Sequence, residues 1–177
     1  MVLPRCTGAF SVGCVDLMTP SSTPCPPSDF HPSTLCKAQL GTLMRIYYPT
    51  TSPPTTEKAS WLPDPYQNIY AHGFARYGQM KLMGWFLHKW LGNTRMEAHI
   101  NAPIIDQSSW QQAQECPDLK SEGKLPLMVF SHGMGGQRGV YSVFCTQLAS
   151  QGFVVAAVEH IVRAPANTMI TIVGQKV

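Results

Sequence analysis

Two kinds of apolar spacing alternate along the chain. Residues 10–18 and 41–48 (GTLMRIYY) are short and β-prone. Gly13 breaks the first and Pro49 stops the second, and the two are expected to pair as the antiparallel start of a sheet. Residues 19–34 carry five prolines and read as loop, as does TTSPPTT after Pro49. WLPDP at 61–65 is too proline-rich for regular structure. From 66 to 91 the spacing turns helical: Ile69, Tyr70, Phe74, Tyr77 and Leu82 recur every three to five residues. A glycine inside a helix costs ~1 kcal/mol against alanine. With Gly73, Gly78 and Gly84 in the way, one long helix and two shorter ones fit equally. Residues 94–123 read as polar and irregular.

The carboxyl-terminal third has the clearest pattern. LMVF at 127–130 is an apolar strand. Residues 139–150 form a helix whose Val140, Phe144 and Leu148 share one face, joined by Tyr141. Gly152 stands where a helix-ending glycine belongs. FVVAAV at 153–158 shows no polar alternation, as in a parallel-sheet strand covered on both faces. Strand, helix and strand make a right-handed βαβ unit. Ligands bind at the carboxyl ends of such strands, here Ser131-His132-Gly133 and Glu159-His160.

Composition narrows the class. Hydrophobic residues are 44% of 177, which excludes disorder. Charged residues are 13%, about half the usual ~25%, so some apolar surface is expected to be covered by further sequence, a membrane or a partner. A net charge of +3 without a basic run gives nucleic acid no support. LMVF and FVVAAV fall far short of the ~20 residues that span a bilayer. The opening MVLPRCTGAFSVGCV lacks a secretory pattern, so a cytoplasmic protein is expected, peripheral at membranes if it touches them. The six cysteines are then reduced thiols. Cys25, His31 and Cys36 match no common zinc spacing. Neither a metal nor any other cofactor is expected.

Ser131-His132-Gly133-Met134-Gly135-Gly136 carries the chemistry. Ester hydrolysis passes through a tetrahedral oxyanion and needs fixed backbone N–H groups beside the oxygen. Glycines let a backbone come that close. A strand, an H-G-x-G turn and a helix in this order form one arm of the oxyanion hole in α/β-hydrolases. A tight turn without chemistry is the plainer alternative. The G-x-S-x-G nucleophile elbow does not occur in these residues. The fold class expected is α/β, an incomplete α/β-hydrolase. It comprises the amino-terminal strands and a βαβ unit of a mostly parallel sheet, with the elbow missing. Residues 1–160 would be the amino-terminal half of that domain and 161–177 a divergent tail.

FSHGMGGQRGVYSVFCTQLASQGFVVAAVEH resembles the platelet-activating factor acetylhydrolase family. VGCVDLM, LMRIYYP and WLPDPYQNIYAHGFARYGQ extend the likeness from about Val12 to His160. Past His160 the family continues with an Arg-Asp-Arg-Ser-like stretch, whereas Ile161-Val162-Arg163-Ala164 follows here. The resemblance implies a calcium-independent esterase that removes a short or oxidised sn-2 acyl group from phospholipids. By position, Met134 would give a backbone N–H to the oxyanion hole, and His132 and Gly133 would shape that turn. The family's Ser, Asp and His triad lies on later elements.

Without the nucleophile the chain alone is expected to be inactive. Ser131 and Ser142 sit on no elbow, and His132 and His160 read as histidines bonded in turns. Leu82, Trp85, Phe86, Lys89 and Trp90 form a greasy segment suited to a phospholipid substrate or membrane surface. A helix packed on the sheet is the plainer reading. A non-catalytic lipid- or partner-binding form is a second class of function. An unstable fragment is a third, because FVVAAV would leave an apolar edge unpaired unless MITIV in the tail covers it.

Overall fold

A computed structural model describes residues 3–19, 41–51, 57–106, 108–109 and 124–160. The loops around Cys25, His31 and Cys36, and the 161–177 tail with MITIV, lie outside the described residues. Six strands form one mixed sheet: β1 Ser11–Met18, β2 Leu43–Thr50, β3 Lys58–Ser60, β4 Arg95–Ile100, β5 Leu127–Ser131 and β6 Val154–Glu159. The helices are α1 Gln67–Tyr77, α2 Gly84–Leu91 and α3 Ser142–Ser150. A 3₁₀ turn at Lys81–Met83 leads into α2. The strand order is β3-β4-β1-β2-β6-β5.

The expected antiparallel pair is present, with Ser11 opposite Thr50 and Met18 opposite Leu43. So is the parallel β5–β6 pair joined by α3. The helical stretch at 66–91 resolves into two helices, α1 and α2, packed on each other.

Several expectations are corrected. Gly13 does not break β1. The Tyr48 ring occupies the place where a side chain at Gly13 would stand, so the glycine makes room for a cross-strand aromatic. Pro49 does not stop β2, which runs on to Thr50. Pairing with β6 reaches only Tyr47, so the missing proline N–H costs no ladder bond on that side.

Residues 94–123 are not all irregular. RMEAHI is strand β4, in which Met96 and Ala98 are buried on alternate positions. Polar residues on the other positions complete the period of two of a half-buried strand, here only six residues long within a polar stretch. The apolar edge is also elsewhere than expected. β2 pairs antiparallel with β6, Ile46 opposite Ala156, so FVVAAV lies between two neighbours. Among the described residues the edge strands are β3 and β5, and on β5 Leu127 and Val129 are 67% and 66% exposed.

The main core lies between the sheet and α3. Val12, Cys14, Tyr47, Met96, Ala98, Val155 and Ala157 meet Cys145 and Ala149. Helix α3 buries its small residues Ser142, Cys145, Thr146 and Ala149. The expected Val140-Phe144-Leu148 face is not the buried one. Small side chains let the helix approach the sheet closely, so the larger ones flank the contact. Phe144 packs its ring on Phe130 at 5.6 Å, and Tyr141 does so at 5.1 Å. Gly152, at φ +102°, ends the helix in the left-handed region as its position suggested. A second cluster joins Leu62, Tyr70 and Ala71 with Trp61, Phe74, Leu87 and Leu91. It binds α1 to α2 near the carboxyl ends of β5 and β6.

Candidate active site

β5 delivers its last residue, Ser131, to the carboxyl end of the sheet, and the glycine-rich turn begins there. The Gly136 N–H donates to the Gly133 carbonyl at 3.1 Å and closes the turn. Gly135 stands at φ +76°, and a Cβ there would lie 2.8 Å from the Tyr77 ring. Both facts require glycine at that position. The Met134 side chain projects outward and is 92% exposed. Among the described residues its backbone N–H has no acceptor. A donor without an acceptor, held in a closed turn at a strand end, is what an oxyanion arm requires.

His132 points the other way, into the protein. Its Nδ1 lies 2.9 Å from the Gly133 carbonyl. The ring of His160 meets it edge-on at 4.6 Å between centroids. The Nε2 of His160 is 2.8 Å from the Ser131 Oγ. The structure thus brings His132, His160 and Ser131 together, with no elbow under the serine.

Behind the turn lies a charged cluster that the sequence reading did not single out. Glu159 ends β6 with its side chain fully buried. Its Oε2 accepts from the Arg138 Nη1 at 2.9 Å, the Arg138 backbone N–H at 3.3 Å and the Tyr70 hydroxyl at 3.3 Å. Arg138 Nη1 also donates to the Tyr70 oxygen at 2.8 Å. Arg138 reaches Asp16 through Nη2 at 3.2 Å, and Arg45 grips the same carboxylate at 2.7 and 2.8 Å. Burial alone would raise the Asp16 pKa. Hydrogen bonds and charge from Arg45 and Arg138 outweigh it and bring the pKa down to about 2. Burial pushes the Tyr70 phenol above its usual range. One sequence signal was available: a carboxylate closing the apolar run FVVAAV needs a buried cation.

Leu82, Trp85, Phe86 and Trp90 do not pack on the sheet. The 3₁₀ turn with Leu82 and helix α2 rest on α1 and leave these side chains facing water, Leu82 at 98% exposure. Lys89 places its Nζ 5.2 Å from the Trp85 ring centroid. No described helix is long and apolar enough to cross a membrane, and no metal-ligand cluster occurs among the described residues.

A family model described as platelet-activating factor acetylhydrolase, isoform II, matches residues 1–175. The chain belongs to that family. It is 33% identical over 159 residues to the platelet-activating factor acetylhydrolase of Canis lupus familiaris, which covers 89% of this chain and 28% of the dog protein. The acetylhydrolase of Gallus gallus is 32% identical over 89% of this chain and 30% of its own. A putative phospholipase A2 of Schizosaccharomyces pombe is 55% identical over 40 residues, 23% of this chain and 9% of its own. The chain thus spans less than a third of the acetylhydrolases it matches. In structure it is similar to a ferulic acid esterase from Streptomyces cinnamoneus. The TM-score is 0.54 and the identity 19%, over 94% of this chain and 39% of that one. The fold of this acetylhydrolase-family chain is an incomplete α/β-hydrolase: a mixed six-stranded sheet with helices.

Proposed function

We propose that these residues form the oxyanion-hole side of a serine esterase that hydrolyses the sn-2 ester of phospholipids. Acetyl and other short or oxidised acyl groups are its substrates, as in a 1-alkyl-2-acetylglycerophosphocholine, and calcium is not needed. The observation that carries this reading is the Met134 N–H, held without an acceptor among the described residues in the turn closed by Gly133 and Gly136.

As a nucleophile adds to the ester, the carbonyl oxygen gains negative charge. The Met134 N–H then donates to it, with His132 and Gly133 fixing the turn. The second donor and the nucleophile belong to a G-x-S-x-G element that these 177 residues do not contain. Losing a triad nucleophile costs on the order of 10⁶ in rate, so the 177 residues alone are inactive.

Purified 177-residue chain should release no acetate from the acetyl phospholipid; measurable turnover would sink that part of the reading. A longer product carrying the elbow should hydrolyse it in the presence of a calcium chelator. There, Met134→Pro, which removes the N–H, should lower kcat by ~10² to 10³. An unchanged kcat would remove Met134 from the site.

Exposed Leu82, Trp85, Phe86 and Trp90 beside Lys89 favour a companion reading, contact with a lipid surface. Rings and an ammonium group on one short helix suit the headgroup boundary. Flotation with phosphatidylcholine vesicles tests it: the chain should rise with the lipid, and a chain left at the bottom of the gradient rules this contact out.

A further inference from the structure

We infer that Glu159 is a positioning residue for the oxyanion turn and acts through His132. Its consequence for catalysis rests on the esterase reading; its geometry does not. The His132 Nδ1 lies 2.9 Å from the Gly133 carbonyl. A carbonyl only accepts, so Nδ1 carries a proton. The other ring nitrogen, Nε2, faces the Glu159 Oε1 at 3.6 Å, an ion-pair separation longer than a hydrogen bond. Neither atom has a hydrogen-bond partner among the described residues. The two side chains are 3% and 0% exposed.

The second carboxylate oxygen is already engaged by Arg138 and Tyr70. Oε1 is therefore the uncommitted oxygen, and Nε2 is aimed at it. A lone pair on Nε2 would face an anionic oxygen at a buried site, which is repulsive. A proton on Nε2 turns the same approach into attraction. The ring is then held at both ends, by the Gly133 carbonyl and by Glu159. That carbonyl also accepts the Gly136 N–H, so the ring's position is transmitted to the turn that holds Met134.

The charges around the ring fit this arrangement. Arg138 precedes α3, Asp16 lies on β1, Arg45 on β2 and Tyr70 on α1, and His160 meets the ring edge-on. Asp16 and Glu159 balance Arg45 and Arg138. A proton on Nε2 leaves this cluster with one surplus positive charge next to the turn where an ester oxygen becomes anionic. That charge favours the transition state over the neutral ester.

Ring-nitrogen NMR on the ¹⁵N-labelled 177-residue chain near pH 7 tests the inference, with the His132 signals assigned by their loss in His132→Asn. Both His132 nitrogens should show protonated shifts. In Glu159→Gln only Nδ1 should stay protonated, and the Gly136 amide should exchange roughly tenfold faster, for a closing free energy lowered by about 1.4 kcal/mol. Glu97→Gln, a carboxylate paired with Lys58 at the surface, should change neither. An unprotonated Nε2 in the unaltered chain overturns the inference, and so does an unmoved spectrum in Glu159→Gln. If Glu159→Gln does not fold, the spectrum of the unaltered chain decides alone. Failure of the esterase reading is seen separately, as the predicted ring signals in this chain with a Met134→Pro change that leaves hydrolysis by the longer, elbow-bearing product intact.

Discussion

The glycine turn after β5 and the α1–α2 pair touch each other where Gly135 meets Tyr77, yet they treat water in opposite ways. Behind the turn, charged groups are taken out of water, and four of them are paired within a few ångströms. On α2, Trp85, Phe86 and Trp90 are left in water with α1 as their support. Burying charge costs several kcal/mol per ion unless partners are placed well. Exposing rings forfeits their burial energy. The first arrangement holds a geometry, and the second keeps a surface available. In this chain the greasy residues of α2 face outward and the charged ones behind the turn form the frame.

The largest expected effect breaks the frame. Arg138→Met removes the guanidinium shared by Glu159 and Asp16. It should cost about 3–5 kcal/mol of stability, because it strands a buried carboxylate. Urea unfolding measures this, and a loss below ~1 kcal/mol would mean that the cluster does not act as a frame.

Acid probes the same contrast more gently. The Asp16 pKa is lowered to about 2 in the folded chain, against ~3.9 when unfolded. The unfolded state binds the proton first, so stability from Asp16 is present above pH ~4 and lost as pH falls through about 2. The side chain keeps 32% of its surface exposed, so the contribution is at most ~2 kcal/mol. Unfolding curves from pH 5 to pH 2 should lose that amount, and Asp16→Asn should flatten this part of the profile.

Trp85→Ala with Trp90→Ala sharpens the comparison from the other side. Stability should change by less than ~0.5 kcal/mol per site, as at any exposed position, while binding to phosphatidylcholine vesicles falls. A large stability loss would make α2 part of the frame.

The smallest effect concerns thiols inside the α3 layer. Burial pushes the Cys145 thiol up to about 12, and Cys14, despite the opposing charge of Arg45, to about 11. Iodoacetamide at pH 8 should modify neither in the native chain. Rapid labelling of Cys145 would mean that α3 opens readily.

Local pattern made β5, the turn, α3 and β6 legible, because an apolar run, a glycine string and a helix-ending glycine follow one another directly. β1 and β2 were legible as an antiparallel pair because both are short β-prone runs bounded by proline-rich loop. β4 was passed over: Arg95, Glu97 and His99 alternate with Met96 and Ala98 as in a half-buried strand, but over only six residues in a polar stretch. The placement of β2 beside β6 was not legible either, since pairing between distant segments leaves no local mark. That misplaced an open edge onto FVVAAV, which lies between β2 and β5. At the site, the glycine turn around Met134 was legible as a turn, because its residues are consecutive in the sequence. The Glu159–Arg138–Asp16 cluster draws single residues from separate elements, and only the assembled sheet brings them within reach.

The β2–β6 pairing has a consequence for how the chain is made. Ile46 must find Ala156, more than a hundred residues later in the sequence. Folding slows as such distant contacts come to dominate. A ribosome will have synthesised almost all the described residues before this layer can close. Until then the β1–β2 pair has no neighbour on its β6 side, and that edge is free to pair with other chains.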